Sequence, residues 1–218
     1  MTLFGITLAW WCNLAQKQRL AVESIRKNGG LVGYDVDTKN YVNFTTQMDV
    51  LSRVQDHSAE GKNLYRIIGN DLFCRANYIR YETRWVQDAN LGVRPLENAG
   101  EILLRCHDLP YLRILELPNS DVSDADITHV KAHPSLKYLN LSNCKKISDA
   151  SISTLAEIRS LRYLALKRCK VSTAAILQLS KLKGLKYLNL EDIVPESDEE
   201  TIRKAFPNTL VLFGGPYE

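Results

Sequence analysis

The sequence predicts an α/β fold in which short parallel strands alternate with helices. Three observations carry this prediction: a six-residue phrase with leucine at its first, fourth and sixth places occurs four times, the copies are evenly spaced, and helix-start residues follow them. The phrases begin at Leu112, Leu136, Leu161 and Leu185, which lie 24, 25 and 24 residues apart. Because successive side chains of a strand point to opposite faces, each phrase is expected to alternate between core and surface.

A period of this length built on LxxLxL is the signature of a leucine-rich repeat solenoid. In that architecture, parallel strands form the concave face and helices form the convex face. Such arrays present extended surfaces for partners, because each repeat packs only against its neighbours. The repeat therefore favours a binding protein over a catalyst.

The chain divides into five regions. They are an apolar segment (1–15), a basic helix with a hairpin or linker (16–63), an N-terminal cap with a degenerate repeat (64–108), the repeats (109–205) and a C-terminal cap (206–218). Caps are expected because an end repeat would otherwise expose its leucines to water.

Residues 1–15 carry no charged side chain and contain the pair Trp10–Trp11, and Lys17 and Arg19 follow. Aromatic residues followed by cations are typical of the point where a membrane helix leaves the bilayer. Fifteen helical residues span only ~22 Å, however, which is short of a ~30 Å hydrocarbon core. Three interpretations stay open: the end of a transmembrane anchor whose start is missing, which we favour, an interfacial helix, or a buried helix.

An amphipathic helix is predicted over residues 14–27, ended by Gly29–Gly30, and a hairpin over residues 31–44. The helix residues expected near one face are Leu14, Leu20, Ala21 and Ile25. Residues 76–81 are expected to form a degenerate first repeat strand. Residues 95–107 are expected to form a helix whose inward side chains are Leu96, Ile102, Leu103 and Cys106.

Serine and acidic residues mark the helix starts within the repeats. Ser148 is predicted to be an N-cap, with Asp149 in the first turn, where a carboxylate stabilises the helix dipole. Residues 123–126 repeat this arrangement, and residues 197–200 resemble a full capping box. The last coil, over residues 206–213, breaks the leucine phrase and is expected to close the array.

Residues 136–150, LKYLNLSNCKKISDA, closely resemble the cysteine-containing, ribonuclease-inhibitor-like subclass of leucine-rich repeats. In that subclass, a strand phrase leads to a cysteine and then to an isoleucine–threonine/serine–aspartate step. The next copy keeps Cys169 and Ser172 but has Thr173 at the aspartate place, and Ser120 and Ile193 replace the cysteine elsewhere. The resemblance covers roughly residues 109–213 and implies the solenoid fold.

The N-terminal half resembles small bacterial membrane-anchored leucine-rich repeat proteins, in the pair Trp10–Trp11, the basic helix that follows and Gly29–Gly30. In those proteins, a full transmembrane helix precedes the basic helix. The resemblance therefore implies a single N-terminal membrane anchor with an otherwise cytoplasmic chain, and a natural start upstream of Met1. It implies no biochemical activity.

Tyrosines recur at one outward place of the predicted sheet. Parallel strands stack ~4.8 Å apart, so Tyr138, Tyr163 and Tyr187 should form one aromatic column. Tyrosines are enriched at binding hot spots, but such a column can equally serve only to stabilise the sheet. The candidate partner-binding residues on this face are Tyr138, Tyr163, Tyr187, Asn140, Asn189, Lys167 and Glu116.

A second, basic column is expected at Arg113, Lys137, Arg162 and Lys186. Cations beside tyrosines can bind single-stranded nucleic acid. They more often form a solvated rim that keeps a repeat array soluble. A net charge of +3 is too small to favour nucleic acid, so a protein partner is preferred.

The composition, 45% hydrophobic and 24% charged, is that of an ordinary folded core. Cys144 and Cys169 are expected to lie near each other as buried structural thiols, and the histidines lack a metal-binding spacing. We therefore expect a non-enzymatic protein-binding module, membrane-tethered, without cofactor, metal or small-molecule substrate. The alternatives are a soluble adaptor resembling the substrate-receptor repeats of ubiquitin ligases and an enzyme hidden in residues 31–100.

Overall fold

The computed structural model of the chain describes residues 3–28, 30–34, 76–80, 98–131 and 133–214. The α-helices are α1 (Leu3–Lys27), α2 (Ala99–Cys106), α3 (Asp124–Ile127), α4 (Asp149–Leu155), α5 (Thr173–Ile176) and α6 (Glu196–Ala205). Short 3₁₀ turns, Thr128–Val130 and Leu177–Lys181, extend α3 and α5. The strands are β1 (Leu31–Tyr34), β2 (Ala76–Arg80), β3 (Ile114–Glu116), β4 (Tyr138–Asn140), β5 (Tyr163–Ala165), β6 (Tyr187–Asn189) and β7 (Leu210–Leu212).

One seven-stranded sheet joins these strands in chain order. β1 pairs antiparallel with β2, and every later pair, from β2–β3 to β6–β7, is parallel. The register aligns equivalent places of successive phrases, in the order Ile114, Tyr138, Tyr163, Tyr187 and Leu210. The predicted α/β character, the parallel strands and the strand at residues 76–80 are confirmed.

The leucines of the phrases form the core beneath this sheet. All three leucines of each phrase are buried, as Leu112, Leu115 and Leu117 are in the first copy. Burying each such side chain contributes about 1.5–3 kcal/mol relative to leaving it in water. The three-residue strands are therefore held by the packing below them and by hydrogen bonds to both neighbours.

Aspartates at the helix starts connect successive repeats, a feature that local patterns did not predict. The Asp124 carboxylate accepts the Ser148 N–H at 2.8 Å and the Ser148 hydroxyl at 2.5 Å, and it also accepts the Ser151 hydroxyl. Asp149 accepts the N–H and hydroxyl of Ser172 at 2.6 and 2.7 Å. Each of these carboxylates therefore fixes the N-cap of the next helix.

One helix start was predicted wrongly. α6 begins at Glu196 with Pro195 as its N-cap, so Ser197 lies inside the first turn and its hydroxyl donates to Asp198 at 3.1 Å. A carboxylate that closes back on its N-cap residue occurs instead at Asp126, which accepts the Ser123 N–H at 2.8 Å. The N-cap predicted at Ser148 is confirmed, because its hydroxyl accepts the N–H of Ala150.

α1 is longer than predicted, and it buries Ala21 and Ile25 of the predicted face. It runs without interruption from Leu3, and among the side chains whose burial is described, residues 13–28, the buried ones are Gln18, Ala21, Val22 and Ile25. Leu20 was expected near the same face as Ala21 and Ile25, and this part of the prediction is wrong, because its side chain is 56% exposed. Among the described helices, none combines the length and apolar character that crossing a bilayer requires.

The remaining N-terminal predictions are tested in part. α2 buries Ile102, Leu103 and Cys106, as expected, whereas Leu96 lies outside the described residues. β1 is present, and its described partner is β2. The second strand of the predicted hairpin, residues 41–44, also lies outside the described residues.

Candidate interaction surface

Three tyrosines stack on the outward face of the parallel sheet. The Tyr138 and Tyr163 rings lie 4.0 Å apart between centroids with an interplanar angle of 9°. The Tyr163 and Tyr187 rings lie 4.3 Å apart at 6°. The strand register produces this column because it aligns the three residues on adjacent strands. The aromatic column predicted from the sequence is confirmed.

The rings of the column differ in how much surface they offer. Tyr138 is only 8% exposed, whereas Tyr163 and Tyr187 are half-buried. Leu210 continues the row beside Tyr187 and is 60% exposed. The apolar surface that a partner can reach is therefore formed by Tyr163, Tyr187 and Leu210, while Tyr138 supports the stack from one end.

Leu210 was missed because β7 lacks the leucine phrase. The available signal was its spacing of 23 residues from Tyr187, close to the repeat length. A leucine with this exposure next to an aromatic ring is the kind of apolar centre that a polar rim surrounds at protein interfaces. It therefore joins the candidate residues.

The Tyr138 and Tyr163 hydroxyls stay protonated far above neutral pH. Burial, chiefly, and the neighbouring Glu116 carboxylate raise the pKa of Tyr138 well above its usual range. Burial also raises the pKa of Tyr163 to about 12. These two tyrosines thus present neutral rings with hydroxyl groups that can donate and accept hydrogen bonds.

The two candidate asparagines close turns within the chain. The Asn140 Oδ1 atom accepts the Ser142 N–H at 3.0 Å, and the Asn189 Oδ1 atom accepts the Glu191 N–H at 3.0 Å. Asn189 Nδ2 also donates to a Glu191 carboxylate oxygen at 3.2 Å. Such side-chain bonds to the backbone two residues on stabilise turns. Both acceptor oxygens are therefore already hydrogen-bonded within the chain. A partner would contact side-chain amides whose orientation is fixed.

Charged candidates on this face are paired within the sheet. The Lys167 ammonium forms an ion pair with Glu191, which stands one repeat further on, and both side chains are half-buried. Glu116 lies beside the Tyr138 hydroxyl. Lys167 and Glu191 therefore neutralise each other beside the rings, and Glu116 supplies an acceptor next to Tyr138.

The turns that follow the strands are stacked in the same order. Their left-handed residues are Asn119, Asn143, Arg168 and Asp192, with φ values of 54°, 61°, 58° and 60°. Asn143 Nδ2 donates to Asn119 Oδ1 at 2.6 Å, and Arg168 Nε donates to Asp192 Oδ2 at 2.7 Å. Asparagine and aspartate tolerate this conformation better than arginine, which the bond to Asp192 helps to hold.

The buried cysteines donate hydrogen bonds to backbone carbonyls. Cys144 Sγ donates to the Leu117 carbonyl at 3.2 Å, and Cys169 Sγ donates to the Leu141 carbonyl at 3.2 Å. Burial raises the pKa of the Cys169 thiol to about 12 and also raises that of Cys144. Reactive cysteines require the thiolate, so these thiols act as structural donors. The Ser120 hydroxyl, in the preceding repeat, donates to the Leu117 carbonyl at 2.8 Å.

No protein-family model matches the chain. Within the described ranges, no group of three or more histidine, cysteine, aspartate or glutamate side chains is arranged to hold a metal ion. The half-buried tyrosine rings and Leu210 on the open face of the sheet are the candidate site that the geometry brings together.

Proposed function

We propose that this chain is a leucine-rich repeat solenoid that acts as a non-catalytic protein-binding module, tethered to a membrane by its N-terminal segment. The parallel strands in chain order, with 24 or 25 residues between equivalent places of the leucine phrases, support the repeat architecture. Arrays of this kind bind their partners through the extended sheet face.

The stacked rings of Tyr163 and Tyr187 are the observation that carries the proposal. Ring stacking at 4.3 Å and strand pairing hold both side chains before any partner arrives. A group that is already ordered loses little conformational entropy on binding, which favours affinity. Tyrosine also combines a large apolar area with a polar tip, as binding hot spots require.

The chemistry of the surface indicates the kind of partner. Rings and Leu210 form an apolar centre, and the paired Lys167–Glu191 and the asparagine amides form a polar edge. This arrangement fits a protein that inserts an apolar side chain over Tyr187 and Leu210 and hydrogen-bonds around it. A densely charged ligand would find few unpaired charges on this face.

The tether rests on the N-terminal helix. α1 spans 25 residues, and the first fifteen residues of the chain carry no charged side chain. An uncharged segment with a tryptophan pair is suited to the boundary between headgroups and acyl chains, where amphipathic rings reside.

Paired truncations test the binding face. Tyr163→Ala/Tyr187→Ala removes the accessible rings and leaves the buried Tyr138 in place, whereas Leu104→Ala truncates a 43% exposed apolar side chain on α2. We expect quantitative affinity capture to recover the same proteins with the wild type and Leu104→Ala and to lose them with the tyrosine variant. Unchanged capture by a tyrosine variant with native circular dichroism would refute the binding face.

A further inference from the structure

The two edges of the sheet differ in charge. We define the amino edge as the loops that lead into β3, β4, β5 and β6, residues 107–113, 131–137, 156–162 and 180–186. Its cations are Arg113, Lys131, Lys137, Arg159, Arg162, Lys181, Lys183 and Lys186, and its carboxylates are Asp108 and Glu157. All eight cationic side chains are exposed. Eight positive against two negative charges leave a strong excess at this edge.

Ion pairing does not remove this excess. Lys131 pairs with Glu157 at 3.1 Å, and none of the other seven cations has a carboxylate partner among the residues that the structure describes. At the opposite edge, where the strands end, cations do face carboxylates: Lys146 lies 3.8 Å from Asp121, and Arg168 lies 2.7 Å from Asp192. Most of the uncompensated positive charge therefore lies at the amino edge.

The connectivity directs α1 toward the same edge. β1 starts opposite Arg80, the last residue of β2, so α1 ends where the parallel strands end. The Ser24 hydroxyl lies 3.5 Å from Glu101 in the first turn of α2. α2 begins beside Asp121, whose carboxylate accepts the Ala99 N–H, and then leads into β3 at the amino edge. α1 and α2 therefore run antiparallel.

The length of α1 carries its first half past the end of α2. Its buried residues run from Gln18 to Ile25 and pack with α2, which has only eight residues. At ~1.5 Å per residue, α1 is about 37 Å long and α2 about 12 Å long. The uncharged part of α1, with Trp10 and Trp11 in its sequence, therefore extends beyond α2 on the side of the amino edge.

We propose that the amino edge docks onto a lipid surface that contains anionic headgroups, with the first half of α1 in that same surface. The proposal rests on the membrane tether and deepens it by naming the lipid chemistry. Each cation near an anionic leaflet strengthens binding by about fivefold, and an apolar aromatic segment adds a contribution that salt does not screen.

A lipid surface fits these observations better than nucleic acid does. Binding of single strands requires aromatic faces on which bases can stack. The tyrosines next to this edge stack on one another instead, and Tyr138 is buried. An uncharged apolar segment beside the cations has no role in nucleic-acid binding, whereas it is the expected companion of cations at a bilayer.

Vesicle co-sedimentation of the full chain tests the proposal. One set of vesicles contains phosphatidylcholine alone, and the other contains phosphatidylcholine mixed with phosphatidylglycerol. Arg159→Gln/Lys183→Gln removes two equivalent cations from the amino edge, and Lys145→Gln/Lys170→Gln removes two equivalent cations from the opposite edge. We expect the first variant to lose about thirtyfold in partitioning to the anionic vesicles and the second to stay near the wild type.

The two lipid mixtures separate the docking from the tether. Binding of the wild type to neutral vesicles reports the tether, and its increase on anionic vesicles, reversed by high salt, reports the amino edge. Equal binding to both mixtures, or equal losses in both double variants, overturns the docking but leaves the tether intact. Failure to bind either mixture overturns both. Tighter binding to a mixed-sequence single-stranded oligonucleotide than to anionic vesicles overturns the docking in favour of nucleic acid.

Discussion

Arg162 fills the space that Gly184 leaves open in the following repeat. A Cβ atom placed on Gly184 would collide with Nη1 of Arg162, and this nitrogen donates to the Leu161 carbonyl at 2.8 Å. In the neighbouring repeats, a hydroxyl group of the following repeat donates to the equivalent carbonyl. The Ser160 hydroxyl lies 2.7 Å from the Leu136 carbonyl, and the Thr209 hydroxyl lies 2.9 Å from the Leu185 carbonyl. The first leucine of three successive phrases thus always has a side-chain donor, and arginine supplies it where serine is replaced by glycine.

This substitution of one donor for another can be reversed. Arg162→Ala should lower the free energy of unfolding by about 1 kcal/mol, because the Leu161 carbonyl loses its side-chain donor. Adding Gly184→Ser should restore most of that loss, since a serine at this place repeats the role of Ser160. Urea unfolding of the single and double variants measures both effects. A double variant that is no more stable than Arg162→Ala would show that a side-chain donor to the Leu161 carbonyl does not explain the contribution of Arg162 to stability.

The two inter-repeat aspartates should differ in their contribution to stability. Asp124 accepts hydrogen bonds from Ser148 and from the fully buried Ser151, whereas Asp149 accepts only from the exposed Ser172. We expect Asp124→Ala to cost roughly 2–4 kcal/mol, because it leaves a buried hydroxyl without its acceptor, and Asp149→Ala to cost about 1 kcal/mol. Thermal unfolding of both variants checks the ranking, and equal losses would contradict it.

Thr173 should resist replacement by the aspartate that stands at its place in the two preceding repeats, Asp124 and Asp149. Its hydroxyl donates to Asp198 of the following repeat at 2.7 Å. Asp124 and Asp149, by contrast, accept hydrogen bonds from the following repeat. Thr173→Asp would set two carboxylates side by side and should cost about 1–2 kcal/mol at neutral pH. The loss should shrink below about pH 4, where carboxylates become protonated. A variant that is more stable than the wild type at neutral pH would refute this account of the departure from the repeat pattern.

His133 should make the fold sensitive to mild acid. Burial lowers the pKa of His133, and the nearby His107 adds to this, although the Leu109 and Cys106 carbonyls oppose it. Because the folded pKa lies below the unfolded value of about 6.5, the contribution to stability is complete above that pH. It is lost as the pH falls through the folded pKa, with a slope of at most ~1.4 kcal/mol per pH unit.

Replacement of His133 by the residue found at equivalent places isolates this effect. Leu109 and Leu182 occupy the same position in other repeats and are buried there. His133→Leu should therefore fold and should flatten the dependence of unfolding free energy on pH between about 5 and 7. The same acid-induced loss in wild type and variant would assign the sensitivity to another group.

The elements that the sequence predicted correctly depend on local patterns. Strands β3 to β6 follow from alternation within each leucine phrase, and the column of Tyr138, Tyr163 and Tyr187 follows from alternation combined with the repeat period. The burial of Tyr138 did not follow, because it depends on what packs beside the ring at the end of the stack.

The errors occurred where the outcome depends on contacts that the local pattern does not contain. Leu20 was placed near the face of Ala21 and Ile25 because the local pattern does not show which side chains of α1 meet α2, and Gln18 takes part in the buried stripe instead. Ser197 was placed at an N-cap, but Pro195 holds an extended backbone and starts the helix two residues earlier. The bonds from Asp124 to Ser148 join residues 24 apart, so they become visible only when the strand register is known.

Photo-crosslinking from Leu210 tests the central claim, that the sheet face around the tyrosines binds a protein partner, most directly. A benzophenone amino acid at this 60% exposed position leaves the three rings intact, and the same group at Leu104 on α2 is the matched control. After irradiation in cells, we predict one dominant protein adduct from position 210, lost in Tyr163→Ala/Tyr187→Ala and absent from position 104. The same adducts from both positions, or adducts from position 104 alone, would contradict the claim.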